Sequence, residues 1–418
     1  MASSRRADVI VVGGGAAGMM AAGTAAEQGL AVTLIEPNEK LGRKLRITGK
    51  GRCNVTNNCG VKELLENVPT NPKFLYSAAT AFPPSAAMEF FEGLGVPLKT
   101  ERGNRVFPQS DNANDIADAL ARWVKDLGVR HVRNKAVSVA VDENGAVRGV
   151  LTDKGELPCR AAILCTGGLS YPATGSTGDG YAMAKALGHK LIPARASLVP
   201  LESPAKYCAR LAGFAPRNVD LTVWENGRAM YAERGEMLFA HFGVTGPLVL
   251  SASAHMRRWG EREYHLTVDF KPALDHEKLD ERILRDFEEF HNRDFANALV
   301  KLAPKSLIPV LVELSGIPGD TKVHSVTRQQ RRRLGEILKA FPVPVSGPRP
   351  VTDAIITGGG VDVKEINPRT MESKRVSGLY FAGEILDVDA YTGGFNLQIA
   401  WATGRSVGLA VGKELCHE

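Results

Sequence analysis

The stretch from Asp8 to Glu36, DVIVVGGGAAGMMAAGTAAEQGLAVTLIE, limits what this chain can fold into more than any other. Four apolar residues, Val9 to Val12, run into Gly13-x-Gly15-x-x-Gly18, and Ala21, Ala22 and Ala25 follow at helical spacing. Gly13 permits a tight turn, Gly15 lets the backbone approach a pyrophosphate, and Gly18 lets a helix pack close to its strand. The unpaired N–H groups opening that helix then face the phosphates. After Gly29, Val32 to Ile35 reads as a second parallel strand, and Glu36 stands where a carboxylate accepts hydrogen bonds from ribose hydroxyls. A lone glycine triplet has many structural causes. Strand, turn, helix, strand and acid in register specify a dinucleotide, FAD or NAD in preference to NADP.

The chain has 418 residues, more than one core usually serves, so two or three domains are expected. A formal net charge of +6 suits anionic substrates or cofactors and does not by itself imply nucleic acid. Cys53, Cys59, Cys159, Cys165, Cys208 and Cys416 are dispersed, with no paired spacing and no histidine cluster, so no metal site is expected. That usage fits a reducing, cytoplasmic compartment. The opening MASSRR precedes an apolar run that is too short for a signal peptide and becomes the glycine fingerprint. No window approaches the ~18 consecutive apolar residues of a membrane span.

Leu41 to Asn57, LGRKLRITGKGRCNVTN, is rich in Gly, Lys and Arg and lacks an apolar period, so it reads as an ordered loop, neither strand nor helix. Following a phosphate site, it can fold over the pyrophosphate and a reactive ring, with Cys53 and Asn54 beside it. Amphipathic helices are expected around Ser85 to Gly93 and from Asp115 to Leu127, with a hairpin around Arg102-Gly103 between them. Asn144-Gly145 and Lys154-Gly155 join three short strands into a meander, after which Ala161 to Cys165 returns to the buried sheet. Thr166-Gly167-Gly168 is a tight turn there. From about Leu191 to Pro350 the character changes to short strands and then helices, the last capped by Thr327 and Gln330. Arg328, Arg331, Arg332 and Arg333 invite an RNA-binding reading, but no aromatics interleave them and a solvated helix face is favoured. Gly378 to Gly408 returns to the first domain with a buried strand, Gly383-Glu384, Gly393-Gly394 and a final helix. A helix start aimed at a flavin stabilises negative charge on the reduced ring. No second glycine fingerprint follows, so a dedicated NAD(P)H domain is not expected.

The segments GRKLRITGKGRCNVTN, MLFAHFGVTGPLVLSAS, VSGPRP, ITGGGV, TMESK and GLYFAGEILDVDAYTGGFNLQ resemble a bacterial family of FAD-dependent oxidoreductases that contains aminoacetone oxidase-like and bile-acid reductase-like flavoproteins. The likeness spans essentially the whole chain. It implies an α/β fold: a Rossmann-like FAD-binding domain, a parallel sheet with a β-meander, interrupted by an inserted small β-barrel plus a helical subdomain. The expected division is 1–190 with 351–418, 191–274 with 342–350, and 275–341. Carried over by position, the contacts of a noncovalent FAD would involve Gly13, Gly15, Gly18, Glu36, Lys44, Arg52, Cys53, Asn54, Thr166, Gly167, Gly383, Glu384, Asn396, Leu397 and Gln398. Ala16, Ala17, Arg43, Gly51 and Val137 are further candidate contacts. Ala390 departs from the family's usual Gly after Asp-Val-Asp.

The leading expectation is hydride transfer through flavin N5 to or from a small organic molecule bound between the FAD domain and the insert. A NAD(P)H-linked reductase of an enone-type substrate is preferred, with NAD(P)H a transient donor. The alternatives are an amine oxidase using oxygen, an RNA-modifying flavoprotein, and a flavin-binding sensor. No nucleic-acid partner is expected on the leading reading, and the oligomeric state is left open. His241, Tyr171 and Tyr391 are weak candidates for proton exchange, and a structural role for His241 has equal standing.

Overall fold

A computed structural model describes residues 7–416 and divides into two compact units, one ending at Ser197 and resuming at Val351, the other running from Leu198 to Pro350.

The first unit is organised on five parallel strands. These are β1 (Val9–Val12), followed by helix α1 (Ala16–Glu27), β2 (Val32–Ile35), β3 (Arg130–Val132), β4 (Ala161–Leu164) and β5 (Leu379–Phe381), in spatial order β5-β4-β1-β2-β3. Val9 pairs with Val32 on one side and Ala161 on the other. The residues of β1, β2, β4 and β5 are all buried, which is why they read as apolar runs without alternation, Thr33 being the one polar residue among them. The chain closes with the long helix α2 (Phe395–Cys416), which lies on α1. Gly404, Gly408 and Gly412 recur every fourth residue, so one face of α2 carries no side chains. A Cβ on Gly404 would lie 2.6 Å from the Ala17 carbonyl oxygen, and one on Gly408 only 2.4 Å from Thr24 Cβ. Glycine therefore sets the approach of the helix that carries the phosphate turn.

The expected meander is present as Ala136–Val141, Val147–Thr152 and Gly155–Pro158 in antiparallel pairing. The hairpin Leu98–Glu101 with Arg105–Pro108 gains a third short strand, Thr56–Asn57. The basic stretch after β2 corrects the loop expectation: Arg43–Gly51 is helical, with Thr48, Gly49 and Lys50 kinked out of helical geometry. Leu45 is its one buried side chain, too little for an apolar period to register in sequence. The boundary with the second unit falls after Ser197, because Leu191–Ser197 pairs antiparallel with Ile356–Val361 of the first unit.

The second unit holds an antiparallel sheet in the order Arg228–Gly235, Val219–Glu225, Tyr264–Asp269, Phe341–Pro344, and a smaller sheet around Leu238–Ala240 and Gly243–Thr245. Its helices include His276–Glu289 and Arg328–Lys339, the latter closed by a reciprocal Thr327/Gln330 capping box. One core runs from sheet residues Leu221 and Leu266 to helix residues Leu279 and Leu334. Just past that helix, Phe341 begins the strand that completes the larger sheet.

Candidate functional site

The glycine turn after β1 is shaped by three different requirements. Gly13 has φ +104°, and a Cβ there would lie 2.5 Å from the Cys165 carbonyl oxygen; a Cβ on Gly18 would lie 1.8 Å from the Gly13 carbonyl oxygen. Those two glycines close the turn against β4 and against itself. Gly15 differs, since a Cβ there meets nothing within 4 Å. It is the N-cap of α1 and supplies no side-chain acceptor, so no capping side chain occupies the N–H groups that open the helix, those of Ala16 and Ala17 among them. A dinucleotide pyrophosphate fits this cradle.

Glu36 ends β2 and reaches back to the turn, with Oε2 accepting from Gly14 N at 2.9 Å and Oε1 from Asn38 N at 2.9 Å and Asn38 Nδ2 at 2.7 Å. Arg43 extends the chain by donating to Asn38 Oδ1 at 2.6 Å. Just past the end of β4, Thr166 Oγ1 is buried with no hydrogen-bond partner, and a Cβ on Gly180 would lie 1.9 Å from it. A buried hydroxyl without a partner is costly unless a ligand completes it. Gly167 follows at φ +72°.

A second cluster joins segments far apart in sequence. Lys44 Nζ donates to Glu384 Oε2 and to Ser170 Oγ, both at 2.7 Å. Glu384 Oε1 accepts from Ser170 Oγ at 2.9 Å and from Thr357 N at 2.8 Å. Thr357 Oγ1 in turn accepts from the backbone N–H groups of Leu169 and Ser170. Lys44 and Glu384 were candidates from sequence, whereas Ser170 and Thr357 were not. The only signal for them was their position inside the GLSYP and ITGGG segments. Gly383, at φ +77°, approaches α1 so closely that a Cβ would lie 2.8 Å from Ala17 Cβ.

The third part is the turn Gly393-Gly394 before α2. A Cβ on Gly394 would lie 2.3 Å from the Thr56 carbonyl oxygen. Asn57 Nδ2 donates to the carbonyls of Gly393 and Gly103, each at 3.0 Å. With its amide oriented to suit its neighbours, Asn54 accepts from Gly394 N at 2.9 Å. Asn396 closes on the carbonyls of Ala390 and Tyr391. Gln398 is fully buried, donating to Phe82 O at 2.8 Å and accepting from Thr56 Oγ1 at 2.7 Å. Asn54, Asn396 and Gln398 thus hold the turn's shape with their side chains, while Leu397 is half-buried at the start of α2.

Arg52 turns to Glu101 at 2.5 Å and to Asp111 at 2.9 Å, and covers the Phe107 ring at 4.1 Å. Gly51 is half-buried, with open space where a Cβ would be. Cys53 is buried, and that burial pushes its thiol up to about 12, which makes it inert at neutral pH. Val137 is exposed on the meander. Tyr171 is half-buried, with Lys44 Nζ 5.9 Å from its ring centre, and burial, followed by the nearby Asp353 charge, raises its pKa. Tyr391 N donates to Asn67 O. His241 belongs to the second unit, exposed in the turn between Leu238–Ala240 and Gly243–Thr245, with its ring edge-on to Phe242. No cluster of three or more His, Cys, Asp or Glu suited to a metal ion occurs among the described residues. Nor is any helix among them long and apolar enough to cross a membrane.

A parallel sheet, an uncapped helix at a glycine turn, an acid on the second strand and a glycine turn leading into the last helix define an FAD-dependent oxidoreductase with a Rossmann domain. The family model described as the HI0933-like protein Rossmann domain matches residues 7–410, and the chain belongs to that family. The protein named ribosomal RNA dihydrouridine synthase in Escherichia coli strain K12 is 33% identical over 95% of this chain and 96% of its own. The 3-dehydro-bile acid delta(4,6)-reductase of Clostridium scindens is 31% identical over 96% of this chain and 98% of its own. Among solved structures, the 3-ketosteroid-delta4-(5alpha)-dehydrogenase of Rhodococcus jostii RHA1 aligns with a TM-score of 0.51 at 15% identity, covering 98% of this chain and 97% of that one. That last likeness is one of fold.

Proposed function

We propose that this chain is a NAD(P)H-linked FAD reductase of a carbon–carbon double bond conjugated to a carbonyl, and that the bond is C5=C6 of a uridine in ribosomal RNA. The observation that carries this reading is the 33% identity over nearly full length to a ribosomal RNA dihydrouridine synthase. A uracil C5=C6 bond conjugated to C4=O and the unsaturated 3-ketone of a bile acid are the same reacting group, so the reductase relative points to the same chemistry. The reading keeps the enone expectation and departs from the expectation of no nucleic-acid partner. It fits a cytoplasmic protein, since ribosomal RNA is its substrate.

A noncovalent FAD would be held by the open N–H groups at Gly15 to Ala17, by Glu36 at the ribose, by Thr166, and by the Lys44–Glu384 cluster and the Gly393-Gly394 turn toward the ring. When bound, it supplies the hydride, with two electrons drawn from NAD(P)H, which leaves as NAD(P)+. The chain's own residues orient the base and deliver a proton to the carbon next to the one that takes the hydride. Of the two tyrosines, Tyr171 is the proposed donor, because it follows Ser170 in the chain and Lys44 of the Ser170–Glu384 cluster stands 5.9 Å from its ring centre.

The test is anaerobic. NADPH or NADH should bleach the bound flavin, and protein-free ribosomal RNA should restore its colour, with dihydrouridine appearing in digested nucleosides by mass spectrometry. Recolouring by a 4-en-3-one steroid and not by RNA would favour a small-molecule reductase, the second reading that the bile-acid reductase relative supports. Bleaching by an amine and not by a nicotinamide would overturn both in favour of an oxidase.

A further inference from the structure

We infer that the segments flanking the Gly393-Gly394 turn form an RNA-gripping rim, with Lys50, Arg102 and Arg105 binding backbone phosphates on one flank and Tyr76 stacking on a base from the other. This rests on the ribosomal RNA reading and locates where the RNA meets the chain.

The first flank is tied to the turn through two asparagines. Asn57 bridges the carbonyls of Gly393 and Gly103 with one amide nitrogen, which brings the hairpin tip Arg102-Gly103-Asn104-Arg105 against the turn. Asn54 holds Gly394 N, anchoring the kinked stretch that contains Lys50. Residues 48–54 and 99–111 carry five cations, Lys50, Arg52, Lys99, Arg102 and Arg105, against two carboxylates, Glu101 and Asp111. Both carboxylates are already engaged by Arg52 and Lys99. Lys50, Arg102 and Arg105 have no carboxylate partner among the described residues, and Lys50 and Arg102 are exposed. Arg105 is half-buried, donating to Arg102 O at 3.1 Å with its guanidinium 5.9 Å from the Phe107 ring, which presents a fixed charge.

The second flank is tied to the same motif. Tyr391 N donates to Asn67 O, Thr70 bridges to Asp389, and Asn71 Nδ2 donates to Asp387 O at 2.7 Å. Tyr76 opens the next helix and is 60% exposed, which leaves most of an aromatic side chain open to solvent. Cations without carboxylate partners together with an open aromatic face are what single-stranded RNA loops are bound by. The arginines of Arg328–Lys339 are a weaker candidate, since Arg331 is paired with Asp280 and Arg332 with Glu336, while Arg333 donates to Leu314 O.

The test measures fluorescence anisotropy of a labelled single-stranded oligouridine with the FAD-loaded protein across a potassium chloride series. Arg102→Glu/Arg105→Glu should weaken binding at least about tenfold. It should also lower the salt slope by about 1.4, at ~0.7 for each single-strand phosphate no longer neutralised. Tyr76→Ala should weaken binding with the slope unchanged, while Arg332→Glu/Arg333→Glu should alter it less than about twofold. Flavin absorbance and melting temperature report that each variant is folded. Full binding by the Arg102/Arg105 variant, or loss confined to the Arg332/Arg333 variant, overturns the rim and leaves the RNA reading standing. A wild-type protein that binds neither the oligouridine nor protein-free ribosomal RNA at low salt overturns both.

Discussion

The Lys44 ammonium and the Glu384 carboxylate, 340 positions apart in sequence, lie 2.7 Å from each other, with side chains 21% and 20% exposed. The pair joins the basic stretch after β2 to the end of β5, two of the segments that sequence alone directed at one cofactor. Ser170 Oγ and Thr357 N donate to the other oxygen of Glu384, so both carboxylate oxygens are held in place.

Removing the cation leaves that carboxylate without its charge partner. Lys44→Ala should cost about 1–3 kcal/mol of stability and lower the flavin retained on purification. Glu384→Gln, which keeps an acceptor for Thr357 N and Ser170 Oγ, should retain more flavin than Glu384→Ala. Melting temperature and the flavin-to-protein absorbance ratio check this. Equal flavin content in all three variants would show the pair to be incidental to the cofactor.

Gly15 and Gly18 should separate folding from cofactor binding. A Cβ on Gly18 would overlap the Gly13 carbonyl oxygen, a backbone atom that cannot move aside, so Gly18→Ala should destabilise by about 3 kcal/mol or more. At Gly15 there is open space in the protein, so Gly15→Val should fold with a near-native melting temperature and yet be colourless. A yellow Gly15→Val variant with full flavin would mean that the pyrophosphate lies elsewhere.

That contrast also marks how far the sequence could be read. The fingerprint, the four buried parallel strands, the meander and the capping box were legible because each rests on residues near one another in the chain, whereas the outer strand β3, exposed at Arg130 and half-buried at His131 and Val132, offered no apolar run to read. The helix at Arg43–Gly51 was not legible, because it buries only Leu45 and is broken within nine residues at Thr48, Gly49 and Lys50. Arg52, read as a cofactor contact, pairs with Glu101 and Asp111, partners about 50 or more residues away that no local pattern announces. Ser170 and Thr357 are ordinary polar residues, and only the tertiary fold brings them to Glu384. The stripe of Gly404, Gly408 and Gly412 stood in plain view, and its meaning depends on α1 lying across it.

Thiol chemistry offers a check on Cys53. Burial pushes its pKa up to about 12, against a weaker opposing hydrogen bond from Thr48, and Cys165 is raised further by the same cause. Iodoacetamide on the native protein at neutral pH should modify exposed Cys416 first and half-buried Cys59 slowly, leaving Cys53 and Cys165 unmodified. Flavin reduction should be unaffected by this treatment. Rapid alkylation of Cys53 with loss of activity, located by peptide mass spectrometry, would place a reactive thiol in the site after all.

The buried His189 makes stability fall in acid. Its Nδ1 lies 3.1 Å from Glu365 Oε2 and its Nε2 2.9 Å from Ser373 Oγ, with the ring edge-on to Phe381. Burial holds His189 below its ordinary 6.5, outweighing the pull of Glu365. Neutral His189 therefore donates from Nδ1 and accepts from Ser373 at Nε2. Glu365 is held down at about 2 from its ordinary 4.5, first by the hydrogen bond from Arg375 and then by the Lys190 backbone N–H and the Arg375 charge, against the cost of burial. Both folded-state values lie below the unfolded ones, so the unfolded chain binds more protons and acid favours it. The His189 contribution is complete above about 6.5 and declines as pH falls through its folded value; that of Glu365 is complete above 4.5 and is lost by about 2. Glu365→Gln should be less stable than wild type at neutral pH, and the gap in melting temperature should narrow as pH drops below 4.5. A gap that stays constant down to the acid transition would show that the Glu365 charge contributes nothing to holding this corner of the fold together.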